Sequence, residues 1–172
     1  EFEGAGVYYA ATENEARYCK DGEALVIGGG NSAGQAAMFL SRSANRVRLL
    51  VRGTSLASSM SSYLSSRLEA DPKITIEYGS AVRLLHGGER IEAVTVHNSQ
   101  CGADYTLPTC ALFIMVGAEP NTGWLSGLVK LDQKGFVETG EAASADSPYA
   151  TSQPGIFAVG DVRAGSVKRV AS

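Results

Sequence analysis

The feature that most constrains this 172-residue chain is the run Gly28-Gly29-Gly30-Asn31-Ser32-Ala33. A short apolar stretch, 24–27, precedes it and reads as a buried strand. After it, Ala33, Ala36, Ala37 and Leu40 recur at i, i+3, i+4 and i+7, the spacing of a helix with one buried face, over about 32–42. Gly28-x-Gly30-x-x-Ala33 therefore stands where a strand gives way to a helix, the context that a dinucleotide-binding fingerprint requires. Gly28 allows the tight turn, and Gly30, lacking a Cβ, lets the backbone approach a pyrophosphate. Ala33 is small enough for the helix to pack on the strand. The helix then aims its free N–H groups and positive dipole end at the phosphates. Asn31 or Ser32 is expected to cap that end. The competing reading is a Gly-rich turn in an α/β protein that binds no nucleotide.

The rest of the chain extends this unit. Residues 47–51 read as a second strand, and 74–78 as a third. Between them Leu56, Met60, Leu64 and Leu68 recur at four-residue steps in a Ser-rich stretch. They predict an amphipathic helix over much of 54–66, placed near 60–70 in the chain order and stopped by Asp71-Pro72. The order β-α-β-α-β calls for a parallel sheet with right-handed crossovers. Segments 81–85, 90–97 and 105–107 then read as consecutive strands, the first two joined at Gly87-Gly88, and so predict an antiparallel insert. Residues 111–116 return as an apolar strand buried on both faces. The fold class expected is α/β: a Rossmann-like parallel sheet with helices on both faces and an antiparallel β insert. From Glu119 onward the chain is rich in Gly, Pro, Ser and Thr. A boundary is placed near Pro120, dividing a nucleotide-binding domain (1–120) from a second segment (121–172).

The end of the second strand selects the dinucleotide. A site for NAD usually has Asp or Glu there to hold the ribose hydroxyls. Here the residue is Arg52, followed by Gly53, with no acid nearby. A carboxylate would repel a 2′-phosphate, whereas a guanidinium offers it forked donors. The cofactor expected is thus NADP(H), unless Arg52 is only a solvated strand-end charge. Arg42, Arg46 and Arg48 read as surface charges, one of which could assist.

Composition narrows the alternatives. The net charge of −3 gives no basic footprint for nucleic acid. The longest apolar run, 111–116, is too short to span a bilayer. The acidic, Gly-rich first residues do not resemble a secretory signal, and a cytoplasmic setting is expected. Cys19, Cys101 and Cys110 match neither a zinc pattern nor a Cys-x-x-Cys pair, and read as reduced thiols. His86 and His97 lack the neighbours of a metal site. No Gly-x-Ser-x-Gly elbow is present. Glu13 and Glu15 read as charges at a helix start, and Trp124 as locally packed.

Taken together, four segments resemble the pyridine-nucleotide domain of the thioredoxin reductase family of flavoproteins. They are Gly4-Ala5-Gly6-Val7-Tyr8-Tyr9-Ala10-Ala11-Thr12, Val26-Ile27-Gly28-Gly29-Gly30-Asn31-Ser32-Ala33, Phe113-Ile114-Met115-Val116-Gly117-Ala118-Glu119-Pro120-Asn121-Thr122, and Thr151-Ser152-Gln153-Pro154-Gly155-Ile156-Phe157-Ala158-Val159-Gly160-Asp161-Val162. They span the chain and keep family order. The resemblance implies hydride transfer from NADPH to FAD in a longer parent protein. It places Gly117 near the bound NADPH, Gly160 and Asp161 at the flavin's ribityl chain, and Lys168, Arg169 and Val170 near the isoalloxazine. It leaves a homodimer open. Three departures stand out. The family's redox-active cysteines correspond to Ala10 and Glu13, and Cys19 is a single thiol. Only Arg52 survives of the family's arginines at the 2′-phosphate. Gln35 replaces a Glu usual near the nicotinamide. The family's first FAD fingerprint is not found upstream of Gly4, so the chain reads as a middle portion of a flavoprotein, expected to be inactive alone. No catalytic residue and no metal ligand is assigned within it. The alternative is a non-catalytic nucleotide-binding module that reports to regulatory domains.

Overall fold

Runs of valine, leucine and isoleucine form the strands. In the computed structural model, which describes all residues except Glu1, Ala118 and 167–172, the chain divides into two compact units, 1–117 and 118–172. The first holds β1 (Val7–Tyr8), α1 (Glu13–Ala16), β2 (Glu23–Ile27), α2 (Asn31–Leu40), β3 (Arg46–Val51), α3 (Ser62–Ala70), β4 (Ile74–Tyr78), β5 (Ser80–Gly87), β6 (Ile91–Asn98), β7 (Ala103–Pro108) and β8 (Ala111–Ile114). Five strands form a parallel sheet in the order β1-β8-β2-β3-β4. β5, β6 and β7 form a separate antiparallel sheet.

Strand alternation supplies both faces of the parallel sheet with apolar side chains. Ala24, Val26, Leu49, Val51 and Phe113 face α2 and α3, where Ala33, Ala36, Ala37, Leu40, Leu64 and Leu68 meet them. Leu25, Leu50 and Leu112 point the other way and pack on Ile91, Val94, Val96 and Leu107 of the antiparallel sheet. The Rossmann-like sheet and the antiparallel insert are therefore as expected. The helices are not on both faces. All three contribute to the core on one side, because the insert covers the other.

Two element boundaries differ from expectation. The apolar stripe Leu56, Met60, Leu64 and Leu68 is buried as its spacing predicts, but the helix begins only at Ser62. Residues 56–60 form a separate turn, closed by Ser59 and Met60 N–H groups donating to the Leu56 carbonyl. The serines cause the break. Ser61 is extended (φ −64°, ψ 141°) and its N–H donates to Asn31, while the Ser59 hydroxyl donates to Gly29. Such local competition with helical bonding is the usual behaviour of serine. α2 also stops at Leu40, short of the expected end.

A polar chain crosses the insert-facing side of the sheet. Arg48 on β3 donates to Glu23 of β2 and, at 2.6 Å, to Glu77 of β4; Glu77 in turn accepts from the Tyr105 hydroxyl on β7 at 2.5 Å. Burial pulls the Arg48 pKa down, but bonds to both carboxylates more than reverse this. Arg48 is thus a part-buried tie between strands rather than the surface charge expected.

The second unit is built from short 3₁₀ turns and isolated bridges around Val129, Val137 and Ala158. Thr122 donates its hydroxyl to the Gly135 carbonyl at 2.5 Å, and Asp132 accepts the N–H groups of Lys134 and Phe136.

Candidate functional site

The chain leaves β2 into Gly28-Gly29-Gly30 and enters α2, which returns it to β3 on one side of β2; β8 lies on the other. This reversal of strand order is the point at whose carboxyl edge open α/β sheets bind ligands. The loops after β2, β3 and β8 are pinned together there. Gly28 N–H donates to the Leu50 carbonyl (3.1 Å), and Met115 N–H to the Ile27 carbonyl (2.8 Å).

The three glycines answer to different causes. Gly28 has φ +143°, and a Cβ on it would lie 2.4 Å from the Met115 oxygen. The fold itself therefore requires glycine at this position. A Cβ on Gly29 would press on Val51 at 3.3 Å. Gly30 is under no such demand: its φ −94° and ψ 177° suit any residue, and a Cβ would meet nothing nearer than the Ser59 carbonyl at 3.8 Å. Omitting its side chain leaves space in front of the helix mouth, the cradle that a phosphate-bearing ligand needs.

The mouth itself is uncapped. Gly30 is the N-cap residue, and no side chain among the described residues bonds the first-turn amides of α2. The expected cap from Asn31 or Ser32 is not formed, because the Asn31 Oδ1 accepts the Ser61 N–H at 2.9 Å instead. The carbonyls of Ile27 and Gly29, behind the first turn, are engaged by Met115 N–H and the Ser59 hydroxyl. The N–H groups of Asn31, Ser32 and Ala33 thus keep their donors for an anion.

Arg52 is the first residue past β3, two positions beyond the Leu50 that anchors Gly28. It is exposed and takes no part in the ion pairs among the described residues. Gln35 lies one turn into α2 and is exposed. Gly117, past β8, has φ +93° with open space where a Cβ would stand. The fold thus gathers Gly28, Gly29, Gly30, Asn31, Ser32, Ala33, Arg52 and Gly117 at one edge. Gly160 (φ +73°) and Asp161 sit exposed at a 3₁₀ turn of the second unit. Lys168, Arg169 and Val170 lie outside the described residues.

Other flagged residues have structural partners. Thr12 and Glu15 form a capping box on α1, and the bonds from Thr12 hold the Glu15 carboxyl below its usual range. His86 bonds Thr95 (2.6 Å), and His97 bonds Asp104 (2.5 Å). The Trp124 N–H donates to the Asn121 carbonyl (3.1 Å), although its ring is largely exposed. Two residues escaped the sequence reading. Ser59 joins the Ser-rich turn to the phosphate loop. Gly34 lets α2 approach α3, since a Cβ there would stand 2.7 Å from Leu64 and 2.9 Å from Met60. The serines that flank Met60 were the available signal for Ser59, and Gly34 beside Ala33 was the signal for close helix packing.

Comparison with known proteins agrees with this geometry. Residues 3–172 match the family model described as pyridine nucleotide-disulphide oxidoreductase. A thioredoxin reductase from Streptomyces clavuligerus is 35% identical over 159 residues, covering 92% of this chain and 47% of that protein. The mitochondrial thioredoxin reductase of Kluyveromyces lactis is 36% identical over 139 residues, covering 80% and 38%. Among solved structures, Lactococcus lactis thioredoxin reductase in its FR conformation superposes with TM-score 0.84 at 29% identity, over 97% of this chain and 52% of that one. T. acidophilum thioredoxin reductase gives TM-score 0.83 at 26% identity, over 98% and 53%. The chain spans about half the length of the relatives it matches.

Proposed function

This chain belongs to the pyridine nucleotide-disulphide oxidoreductase family and is thioredoxin reductase-like, and on that premise we propose that it is the NADP(H)-binding portion of a flavoprotein reductase. The observation that carries the reading is Gly30, a glycine that its own surroundings do not require, set before an uncapped helix mouth. In this reading the amides of Gly29, Gly30, Asn31, Ser32 and Ala33 hold the pyrophosphate, and the Arg52 guanidinium faces the 2′-phosphate. Gly117 leaves room for the nicotinamide end, and Gln35 borders it. When bound, the nicotinamide supplies hydride and the flavin accepts it; the protein's share is position and electrostatics. Gly160, Asp161, Lys168, Arg169 and Val170 are proposed to contact FAD in the whole protein. A cytoplasmic setting fits three unpaired thiols.

No two of the three cysteines have Cys-x-x-Cys spacing. The reductase would therefore pass electrons to an acceptor other than a dithiol held at Ala10 and Glu13. The same observation favours a second reading, a nucleotide-sensing module without redox output. Mixing the whole flavoprotein with NADPH separates the two: bleaching of the flavin absorbance supports the reductase, and a yellow protein that binds NADPH without bleaching supports the sensor.

Calorimetric titration of this chain tests the cofactor. NADPH is expected to bind about tenfold or more tightly than NADH, since each tenfold is about 1.4 kcal/mol and one charge-assisted contact supplies that much. Arg52→Asp should abolish the difference. Equal affinities in the unaltered chain would remove the assignment of Arg52.

A further inference from the structure

Cys19 and Cys110 are far apart in sequence, and each reads as a solitary thiol. The parallel sheet brings them together. Cys19 ends the 3₁₀ turn Arg17–Cys19 after α1 and is fully buried. Cys110 directly precedes β8 and is partly exposed. The Cys110 thiol donates to the Glu23 carbonyl at 3.1 Å, its N–H donates to the same oxygen at 3.0 Å, and Cys19 and Cys110 pack in one apolar cluster with Gly22 between them. The turn through Asp21 and Gly22 is shaped around this pair. Asp21 takes the left-handed conformation (φ 64°), and a Cβ on Gly22 would lie 2.9 Å from the Cys110 sulfur. Cys101, by contrast, is exposed on the turn between β6 and β7.

We propose that Cys19 and Cys110 are a redox site of this chain, a dithiol that closes to a disulfide when hydrogen peroxide oxidises it. The surroundings divide the roles. The neighbouring Cys110, with burial, pushes the Cys19 thiol up, while the neighbouring Cys19 holds the Cys110 thiol below its ordinary value. Cys110, also the more accessible, is the attacking sulfur. Its thiolate displaces hydroxide from peroxide, breaking the O–O bond and leaving a sulfenic acid. The Cys19 sulfur then displaces the hydroxyl from that sulfur, forming the S–S bond and releasing water with the Cys19 proton. In sum two thiols give up two electrons and two protons, and peroxide becomes two waters. The pair sits at the amino ends of β2 and β8, about 13 Å along the strand from the glycine loop. The site is thus separate from the proposed nucleotide site and does not depend on that reading.

The test uses the whole chain carrying Cys101→Ser, so that the exposed thiol cannot react. After peroxide, Cys19 and Cys110 should resist alkylation together, the intact mass should fall by two hydrogens, and a cross-linked peptide pair should appear after proteolysis. Dithiothreitol should restore both thiols. In Cys19→Ala on the same background, Cys110 should stop at a sulfenic acid that dimedone captures. Should that variant not fold, Cys110→Ala serves instead: the buried Cys19 should then survive peroxide unoxidised. Over-oxidation of Cys110 with Cys19 still free to alkylate would overturn the proposal, as would cross-links only between chains or only in denaturant that unfolds the protein.

Discussion

The Ser59 hydroxyl donates to the Gly29 carbonyl at 2.7 Å, fastening the Ser-rich turn that follows Arg52 onto the glycine loop. A second tie runs beside it, from Ser61 N–H to the Asn31 side chain. The segment bearing Arg52 and the segment presenting amides are therefore held by two bonds rather than by packing alone. Ser59→Ala removes one of them. A neutral hydrogen bond is worth about 0.5–1.5 kcal/mol, so nucleotide affinity should fall about two- to tenfold. Because the glycine loop meets the pyrophosphate that both cofactors share, NADPH and NADH should weaken by the same factor. Calorimetry with each cofactor checks this, and a loss confined to NADPH would place Ser59 at the 2′-phosphate instead.

Gly28 and Gly30 should separate folding from binding. Gly30→Ala adds a methyl group where the backbone tolerates it and no atom lies within 3.8 Å. Thermal stability should change little, while nucleotide binding should drop below detection as the Cβ enters the helix mouth. Gly28→Ala instead meets φ +143° and the Met115 oxygen at 2.4 Å. Backbone strain of that kind costs of order 1–3 kcal/mol, and the contact adds to it, so this variant should unfold at markedly lower denaturant. Paired denaturation and titration of both variants decide the matter; a Gly30→Ala protein that binds normally would show that the ligand does not approach there.

Gly34 poses a question of sign. A Cβ there would press on Leu64 Cδ2 and on the Met60 thioether. Both are ends of flexible side chains and can yield. Glycine in a helix interior costs about 1 kcal/mol relative to alanine, which offsets the repacking. Gly34→Ala should therefore lie within about 1 kcal/mol of the unaltered chain, whereas Gly34→Val, with two further carbons, should lose clearly more. Urea unfolding of the two variants tests this, and a large loss in Gly34→Ala would mean that α2 and α3 cannot move apart.

How far the sequence could be read depended on the range of each constraint. Gly28 to Ala33 carry their requirements within six residues, so loop and helix were legible, as were the strands on either side. The start of the helix near 60–70 was drawn early, and much of 54–66 was read as helical, because Leu56, Met60, Leu64 and Leu68 are buried both by one long helix and by a turn followed by a short one; the reach of Ser59 and Ser61 to the glycine loop distinguishes them. The face taken by β5–β7 is not written in local periodicity, and with it went the placement of the helices. Cys19 beside Cys110, and Glu23-Arg48-Glu77-Tyr105 in a chain, follow from strand order and register, which no single segment encodes. The second unit has short 3₁₀ turns without period, so its order was invisible as secondary structure.

Tyr105 gives the prediction with a pH axis. Its hydroxyl is the link from the antiparallel sheet to Glu77, and through Glu77 to Arg48. Burial, and then the bond to Glu77, raises its pKa above the ordinary 10.0. A phenol whose pKa is higher folded than unfolded supports the fold fully below the unfolded value, and that support fades as pH climbs through the raised folded value. Tyr105→Phe should cost about 1 kcal/mol at pH 7, one hydrogen bond, with Glu77 still held by Arg48. Above pH 10 the gap between the two proteins should narrow, because the unaltered chain is then losing what the variant never had. Urea unfolding at pH 7 and at several alkaline values measures the gap directly, and a difference that stayed constant or widened would mean that the Tyr105 hydroxyl does not couple the two sheets.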